Sequence, residues 1–504
     1  MSPSVQDAVK ALSKKSGAEE FDDRYPALES IRPWLEERGY YLYHHFYDVD
    51  QHGEEYPAFS YPHFQDTQPS SAPQLPYSFY GGGFTYKEQQ HVVQSPAMDY
   101  MVFAQDSQRR HVAFKLTKES SVEYEAYRRL SKEECLYGPD PAEFGCVMPP
   151  LDFIDLGEGW WFVVMPRWGD RVFFPWFNSI REVLDFMRCC LKGICILHKH
   201  LIVYRDIKQS NILANQFAQG QYFQDKRFRS SLRESGSLIY ALIDFDWSVV
   251  FPLDSKPSER RLHASESFLW YCSIAKDTSQ GELDYDPFAF DVGSFGMFFC
   301  DEFQHLSTMV PMLAPLLDRM ITRDIPTRFT ATQALTFFDD YVLPSATPSA
   351  LGGRPPERDR TILSEPESFD RWARLDPEFV KKWAAYRLPP LKRSTKILRW
   401  ICGYHVGQFL VRSIRRAARA IGSTRTFILG ATKRVTGKRA QLSPVLSCSQ
   451  RLVAYGLLAQ TCCFEDGDFR WRRQLHTNTF VASAQYPVLG RGWSSVGDMY
   501  ICMS

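Results

Sequence analysis

The segment Tyr204–Leu213 constrains this 504-residue chain more than any other stretch. It places Asp206 two residues before Lys208 and five residues before Asn211, on a short loop between two apolar runs. Four further segments accompany it in a fixed order. They are Val-Ala-Phe-Lys at 112–115, Ile-Asp-Phe-Asp at 243–246, Asp-Val-Gly-Ser-Phe-Gly at 291–296 and Pro-Thr-Arg-Phe-Thr at 326–330. Chance does not readily produce five such segments in one order, so we interpret them as parts of one catalytic domain.

Together the five segments resemble the protein kinase superfamily over residues 89–343, with Tyr204 where the usual catalytic loop has histidine. A narrower resemblance is to the kinase-like proteins expanded in basidiomycete fungi. Its marks here are Trp34–Tyr40, the strand pair before Lys115, and Val164–Gly169. The resemblance implies an α+β, bilobal protein-kinase-like fold, with an antiparallel β-sheet and one helix in an N-lobe (89–165) and a mostly helical C-lobe (166–343).

The resemblance also implies ATP and Mg²⁺ as cofactors and a protein hydroxyl as the acceptor of the γ-phosphoryl group. Asp206 is then the catalytic base, and Lys208 contacts the transferred phosphate and favours Ser/Thr over Tyr substrates. Asn211 and Asp244 hold Mg²⁺. Arg205, beside the base, is a cation placed for a phosphorylated Ser or Thr, or else for a local carboxylate or carbonyl.

The predicted nucleotide grip centres on Lys115, which pairs with the α- and β-phosphates and is held by a helix carboxylate. Two glutamates, Glu123 and Glu125, are candidates for that carboxylate. The family pattern favours Glu123, because a large apolar residue, Tyr127, follows it four positions later. Two hinge residues complete the nucleotide site, namely Met165 and Arg167.

Two departures from the family pattern weaken the prediction of catalysis. Residues Gln94–Tyr100, where a glycine-rich loop is expected, contain no glycine, so backbone amides cannot approach phosphates as closely. Gly81–Gly83 is too far before Lys115 to replace that loop and is interpreted as a flexible turn. Asp246 stands where the family has glycine, a residue that readily adopts positive φ, although aspartate tolerates that conformation better than most residues.

The activation segment is predicted between Asp244 and Asp291, without the usual Ala-Pro-Glu. Glu282 is the nearest candidate for the glutamate that pairs with Arg328. Three hydroxyl side chains are candidate phosphorylation sites there, namely Ser265, Ser267 and Thr278.

Apolar periodicity predicts secondary structure along this domain. Strands are expected at 92–93, 101–104 and 111–116, a helix at 121–130, a hairpin at 151–156 and 160–165, a helix around 183–194, and helices within 291–341. Residues 1–88 are predicted to form an N-terminal extension. It contains a short helix, docked on the catalytic domain by Trp34, Leu35 and Tyr40, and then irregular structure. The polar segment 216–236 is predicted as a surface insertion, and the Pro/Gly-rich segment 344–358 as a linker.

Composition excludes several other classes of protein. Lys plus Arg equals Asp plus Glu, 59 each, so specific nucleic-acid binding is not expected. The 12 cysteines show no zinc-ligand spacing and are interpreted as reduced core thiols. The polar N-terminus predicts no secretory signal, and no apolar run is long enough for a transmembrane helix. We therefore expect an intracellular protein, cytoplasmic or nuclear.

The tail is basic, with no acidic residue from Phe379 to Phe464. Residues 359–439 are predicted to be helical, because apolar residues recur from Ile397 to Ile421 at spacings near 3.6, with arginines beside them. Three roles are open for this helix. They are weak contact with an anionic membrane, contact with a partner or nucleic acid, and packing on the protein or simple solvation. The third role is favoured. Residues 440–504 are predicted to be mostly disordered.

The sequence leaves two main hypotheses for function. The leading one is an ATP-dependent Ser/Thr protein kinase that acts on a protein substrate. The rival is a pseudokinase, a scaffold or binding module with weak or no nucleotide turnover, as the missing glycine-rich loop and Asp246 suggest. A small-molecule phosphotransferase on a related fold is the third alternative.

Overall fold

A curled antiparallel sheet and many helices make up an α+β fold. The structure is a computed structural model. It describes residues 3–13, 21–49, 53, 55–62, 74–80, 91–92, 101–217, 225–267, 275–357 and 369–420. The predictions made for Gly81–Gly83, for Gln94–Tyr100 and for residues 440–504 lie outside these ranges. All described residues belong to one compact unit, Met1–Phe427.

The strands in chain order are β1 (Tyr40–Leu42), β2 (His44–Val49), β3 (Glu55–Ser60), β4 (Phe79–Tyr80), β5 (His91–Val92), β6 (Met101–Asp106), β7 (His111–Lys118), β8 (Asp152–Gly157), β9 (Trp160–Pro166), β10 (Ile202–Val203), β11 (Ile212–Ala214), β12 (Gln216–Phe217), β13 (Tyr240–Leu242), β14 (Val249–Val250), β15 (Leu262–His263) and β16 (Asp284–Tyr285). The helices are α1 (Pro3–Leu12), α2 (Phe21–Glu36), α3 (Val122–Leu130), α4 (Ile180–Lys199), α5 (Asp225–Glu234), α6 (Pro287–Phe303), α7 (Leu313–Ile321), α8 (Ala331–Phe337), α9 (Leu343–Ser345), α10 (Pro348–Gly352), α11 (Pro377–Trp383), α12 (Arg393–Cys402) and α13 (residues 405–420).

The main sheet has five strands in the order β1-β6-β7-β9-β8, and all its neighbours are antiparallel. The hairpin between β8 and β9 forms as predicted, because Gly157 and Gly159 take φ of 83° and 75° around Glu158. Helix α3 also forms as predicted, and the Ser121 hydroxyl caps it by accepting from the Tyr124 amide.

The edge strand of this sheet differs from the prediction. The predicted strand at 92–93 appears as β5, which pairs with β3 in a separate three-stranded sheet. The first strand of the main sheet is instead β1, with Tyr40 opposite Asp106 and Leu42 opposite Ala104. Gly39, at φ 80°, turns the chain from the end of α2 directly into β1.

Helices α1 and α2 cover the outer face of the main sheet. Their buried side chains Val5, Ile31 and Leu35 share one apolar cluster with Leu42 and Phe114 of the sheet. The N-terminal extension therefore packs on the predicted catalytic domain, as the amphipathic sequence around Leu35 indicates.

A second, larger core surrounds α4 and α6. The Ser179 hydroxyl caps α4, and the apolar stripe predicted along this helix is buried. Asp286 caps α6 by accepting from the amides of Phe288 and Ala289. These two helices fix the positions of the loops that bear the polar residues described below.

The prediction of a surface insertion at 216–236 is wrong for the part of that segment which the structure describes. Helix α5 is packed against the body, with Arg229 and Arg233 almost fully buried. Arg229 donates to the carbonyls of Asp170, Arg171 and Phe174, and Arg233 donates to those of Val172 and Pro175. Polar composition misled because guanidinium groups can be buried when their donors find acceptors, which here are main-chain carbonyls together with the Gln216 side chain and the Tyr240 hydroxyl.

The segment predicted as a linker also lies against the body. The Ile180 amide donates to the Gly353 carbonyl at 2.9 Å, and the Trp176 indole donates to the Pro355 carbonyl at 3.0 Å. Beyond it, Arg371 and Trp372 are buried and both bond the Asp318 carboxylate.

The predicted continuous helix of the basic tail is two helices. Chain direction changes at Gly403-Tyr404, between α12 and α13. Gly407 lies so close to α12 that a Cβ there would be 2.1 Å from the Ile401 carbonyl oxygen, so only glycine fits at this crossing. None of the helices in the described ranges combines the length and apolar character needed to cross a bilayer.

Candidate functional site

The predicted catalytic loop brings its polar side chains together on one carboxylate. Lys208 Nζ lies 2.7 Å from Asp206 Oδ2, and Asn211 Nδ2 donates to the same oxygen at 2.8 Å. Asp206 is 5% exposed. The spacing of the three residues therefore produces the cluster that the sequence predicted, with one carboxylate oxygen between an amide and an ammonium group.

Helix α6 holds this loop in place through Asp291, which is fully buried. Its carboxylate accepts from the backbone amides of Tyr204 at 2.6 Å and Arg205 at 2.9 Å. Arg205 has φ of 69°, a conformation that costs energy in a non-glycine residue and persists only where the surroundings fix it. The two hydrogen bonds to a buried carboxylate supply that constraint.

Asn211 and Asp244 lie at neighbouring ends of two paired strands. Ile212 of β11 is opposite Leu242 of β13, and the Ile243 amide continues the ladder by donating to the Asn211 carbonyl at 3.0 Å. Since the amide nitrogen of Asn211 points at Asp206, its amide oxygen is the atom available for a cation. The predicted magnesium ligands are therefore adjacent.

Lys115 of β7 lies among three carboxylates. Its Nζ is 2.5 Å from Glu123 of α3, 2.8 Å from Asp244 and 3.5 Å from Asp246. The structure thus pairs Lys115 with Glu123 rather than with Glu125, which instead pairs with Arg129 of its own helix. It also adds Asp246, a residue that sequence reasoning regarded only as a departure from the family pattern.

Burial and charge act in opposite directions on this cluster. Burial alone would lower the pKa of Lys115, but Glu123, Asp244 and Asp246 outweigh it and raise the pKa, so the side chain stays an ammonium group. Burial raises the pKa of Glu123 to about 8, although Lys115 opposes that change. Three carboxyl groups thus share one permanent cation, so the cluster contains fewer positive groups than carboxyl groups.

This donor set fits a divalent cation. Oxygens of Glu123, Asp244 and Asp246 lie within 4.8 Å of one another, and carboxylate and amide oxygens are the ligands that Mg²⁺ accepts. With Asn211 beside Asp244, Mg²⁺ would be held by Asp244 and Asn211, and Asp246 is a third ligand within range. The residues present therefore fit the metal that the resemblance implies.

Asp246 does not introduce the backbone strain expected from placing aspartate where the kinase pattern has glycine. The residue with positive φ in this segment is Asp244, at 71°, and Asp246 is not among the positive-φ residues of the described chain. The substitution of glycine by aspartate at 246 therefore leaves the local backbone unstrained, and its effect is electrostatic.

The hinge end of the same sheet face is occupied by Arg167. Side chains alternate along a strand and directly paired residues share a face, so Lys115, Ala113 and His111 lie on one face together with Phe103. The Arg167 guanidinium lies on that face, 4.4 Å from the ring of Phe103 in the sheet and 4.4 Å from that of Phe217 beyond β11.

Hydrogen bonds fix Arg167 in this position. Its Nη1 donates to the Tyr43 hydroxyl at 2.6 Å, and that hydroxyl lies 2.6 Å from His111 Nδ1. Because arginine only donates, the Tyr43 proton must point to His111 Nδ1. Burial, with the charge of Arg167, holds the pKa of His111 well below its usual value, which keeps the imidazole neutral and able to accept.

Residues before β4 use the main-chain groups of the hinge. The Ser78 hydroxyl donates to the Arg167 carbonyl at 2.5 Å, and the Trp168 indole donates to the Pro76 carbonyl at 2.8 Å. The Arg167 amide donates to the His111 carbonyl, and Met165 is fully buried in the core. His111 is four residues from Lys115, about 13 Å along a strand. The resemblance to protein kinases, which assigns Met165 and Arg167 to the nucleotide site, puts the base of a nucleotide at this end.

The two ends of the predicted nucleotide site therefore differ. The predicted phosphate end has a buried cation, Lys115, and carboxylate and amide oxygens that fit Mg²⁺. At the base end, the guanidinium of Arg167 lies between the rings of Phe103 and Phe217. The main-chain carbonyl of Arg167 already accepts a hydrogen bond from the Ser78 hydroxyl. A nucleotide base does not fit there unless Arg167 moves.

The activation segment shows a different partner for Arg328 from the one predicted. Arg328 makes two parallel bonds to Asp277, at 2.8 and 2.7 Å, and both side chains are buried. Glu282, the predicted partner, instead lies within 3.4 Å of Arg415. Gly293 explains the geometry, because a Cβ there would be 2.5 Å from the Arg328 guanidinium, which must pass close to α6 to meet Asp277.

Arg205 contacts a local carbonyl, the second of the two partners considered for it. Its Nη2 donates to the Glu266 carbonyl at 2.5 Å. Of the predicted phosphorylation sites, Ser267 and Thr278 are buried and bond each other at 2.7 Å, while Ser265 is exposed. Phosphorylation at these three positions stays a prediction.

Comparison with known proteins adds no assignment. No protein-family model matches the chain. No curated protein matches it either. The functional argument therefore depends on the residues of the site.

Sequence reasoning missed the groups that meet from distant segments. Tyr43, His111 and Arg167 are separated by tens of residues, and only Arg167 was singled out. Asp277 was missed because an aspartate stood where the family has glutamate. The local sequence did contain a signal for Asp246, because a carboxylate two residues from Asp244 is close enough to contact the same cation, Lys115.

Proposed function

We propose that this chain is an ATP-dependent Ser/Thr protein kinase with a bilobal, protein-kinase-like arrangement, acting on a protein substrate. The observation that supports it most is the position of Lys115, whose Nζ contacts both Glu123 and Asp244. In protein kinases, phosphoryl transfer requires a lysine held on a helix carboxylate and a metal-binding aspartate placed together. Two of the five segments, 112–115 and 243–246, meet in that contact.

In this proposal each residue of the loop acts on a defined atom. Asp206 accepts the proton of the acceptor hydroxyl and orients its oxygen. Lys208, already bonded to Asp206, balances charge on the transferred phosphoryl group. Asn211 fixes the Asp206 carboxylate through Nδ2, while its amide oxygen and Asp244 hold Mg²⁺, which when bound neutralises phosphate charge.

The experiment that tests this proposal measures phosphoryl transfer from ATP with Mg²⁺ by the full chain, to itself and to Ser/Thr peptide mixtures. We expect transfer by the native protein and none by Asp206→Asn, which keeps the shape of the side chain. Asp254→Asn, the same change at an exposed aspartate, is the matched control and should not alter the rate. Equal transfer by native protein and Asp206→Asn would refute the role of Asp206.

One observation favours a second function, that of a pseudokinase scaffold or binding module. The Arg167 guanidinium lies between Phe103 and Phe217, where a base would stack. A thermal-shift titration with ATP, with and without Mg²⁺, separates the two functions. A shift that requires both ATP and Mg²⁺ supports the kinase, whereas no shift at saturating ATP and Mg²⁺ supports the module.

A further inference from the structure

The C-terminal helices expose an unusual share of the large apolar side chains of this protein. Eleven such side chains are exposed in the described part of the chain, and seven of them lie between residues 397 and 414. They are Ile397, Trp400, Tyr404, Val406, Phe409, Leu410 and Ile414, with exposed fractions from 55% to 72%. A contiguous apolar surface of this kind marks an interaction site, whereas single exposed apolar residues do not.

Helix α13 separates a docked face from this exposed face. On the docked side, Arg415 donates to the Gln280 carbonyl at 3.0 Å and Arg419 lies 2.6 Å from Asp284. Val411 packs on Gly281, where a Cβ would be only 2.6 Å from its Cγ1. The body of the protein therefore fixes the rotation of α13 about its axis.

The exposed face follows from that rotation. At about 100° per residue, Val406, Leu410 and Ile414 form one stripe, with Phe409 beside them, and point away from Val411 and Arg415. Trp400 and Tyr404 extend the stripe from the end of α12, with their rings 5.4 Å apart. We call these seven exposed side chains from 397 to 414 the apolar strip.

The charged residues of the chain segment that carries the apolar strip have one sign. Residues 379–420 contain eleven Lys and Arg residues and no Asp or Glu. Lys392, Arg393 and Lys396 are exposed at the start of α12, and Arg416 is exposed beside Phe409 on α13. An apolar stripe with exposed cations beside it and aromatic rings at its end matches an anionic bilayer surface, which takes apolar side chains below its phosphates and cations at them.

We propose that the apolar strip and its flanking cations bind the surface of an anionic lipid bilayer. Nucleic acid does not favour so many apolar side chains at its phosphates, and the flanking cations match lipid phosphates. The inference is independent of the catalytic proposal.

The experiment is co-sedimentation of the full chain with two kinds of vesicle, phosphatidylcholine alone and phosphatidylcholine with phosphatidylserine. We expect binding to the second kind and little to the first. Phe409→Asp puts a charge in the strip and should weaken binding by at least about tenfold. Leu253→Asp is the matched control. Leu253 is 70% exposed but lies outside the apolar strip, so this variant should bind like the native protein.

The charge requirement has its own pair of variants. Lys396→Glu reverses a flanking charge and should weaken binding by about tenfold. Lys132→Glu, the same change at another exposed lysine, should have little effect. Native binding that raised salt does not reduce would contradict the assignment of the cations.

Three results would overturn the proposal. One is failure of the native chain to sediment with either kind of vesicle. Another is equal binding to both kinds, which would remove the anionic lipid from the proposal. The third is a native dimer that Phe409→Asp dissociates, together with no vesicle binding, since a second copy of the chain would then cover the strip.

Discussion

Replacing Lys115 by methionine should destabilise the folded protein, not only impair nucleotide binding. Lys115 is 8% exposed, and its ammonium group contacts Glu123, Asp244 and Asp246. Methionine preserves most of the apolar stem but leaves three carboxyl groups together without that cation. Removing one partner from a buried pair typically costs about 3–5 kcal/mol.

The structure reduces that magnitude for two reasons. Asp244 and Asp246 are 32% and 50% exposed, so water screens part of their repulsion. Glu123, with a pKa raised to about 8 by burial, can take up a proton near neutral pH. We therefore expect Lys115→Met to lower the free energy of unfolding by about 2–3 kcal/mol at pH 7 in the presence of a chelator.

The loss should depend on pH with a definite sign. In the native protein the folded-state pKa of Glu123 is already raised to about 8, above the unfolded value of 4.5, and loss of the Lys115 ammonium, which lowers it, raises it further. Stability falls as pH rises through the range in which the folded state holds this proton and the unfolded chain does not, and that range extends to higher pH in the variant than in the native protein. The difference between variant and native protein should accordingly be larger at pH 8 than at pH 6.

Urea unfolding followed by tryptophan fluorescence measures this effect, with Lys199→Met as the matched control. Lys199 also bonds a carboxylate, Glu133, at 2.7 Å, but its side chain is 62% exposed, so its loss should cost less than about 1 kcal/mol. Mg²⁺ should restore part of the stability of Lys115→Met, because the metal replaces the missing cation. Native stability in the variant, or an equal loss in both variants, would refute this account of the cluster.

Three further predictions concern single residues. Asp244→Ala should abolish the Mg²⁺-dependent part of any ATP-induced thermal shift, and a shift of native size would move the metal elsewhere. Arg328→Met should lower the free energy of unfolding by about 3–5 kcal/mol, because it leaves Asp277 buried and unpaired. Arg387→Met, which removes the contact of one guanidinium nitrogen with both oxygens of the exposed Asp370, should cost less than about 1 kcal/mol, and equal losses in urea titrations would contradict the role of burial. Arg167→Met should tighten Mg²⁺–ATP binding by about tenfold in calorimetry, since it removes the guanidinium from the base position. The control Arg38→Met, which removes a guanidinium 3.8 Å from Trp34, should leave the affinity unchanged. Equal affinities of native protein and Arg167→Met would show that Arg167 does not obstruct the base.

Local spacing accounts for the side-chain contacts around Asp206 and Lys115, while the binding roles predicted for these residues stay predictions. Asp206, Lys208 and Asn211 lie within six residues, so the loop itself brings them together once α6 anchors its backbone. The helix pattern before Tyr127 selected Glu123 correctly, because residues four apart share one helix face. These features depend on short-range geometry, which a sequence displays directly.

The base end could not be predicted because its residues meet only in the folded chain. Tyr43 reaches Arg167 because β1 pairs at the edge of the main sheet, and three residues of strand give almost no sequence signal. The packing of α5 was hidden for another reason. Its arginines are buried by carbonyls of the 170–175 loop, and hydropathy cannot detect acceptors that belong to the backbone.

Tyr204 links two segments on which the candidate site depends. Its hydroxyl donates to the Ile243 carbonyl at 2.6 Å, directly before Asp244, so one side chain joins the Asp206 loop to the segment that contains Asp244. Its ring lies 6.1 Å from Phe245, and the Phe245 ring lies 5.0 Å from Tyr127 on the helix that bears Glu123. A displacement of Phe245 would therefore remove packing from both Tyr204 and Tyr127. Tyr204 thus makes the geometry of the Lys115 cluster depend on the backbone position of the Asp206 loop, a coupling that the five separate motifs do not reveal.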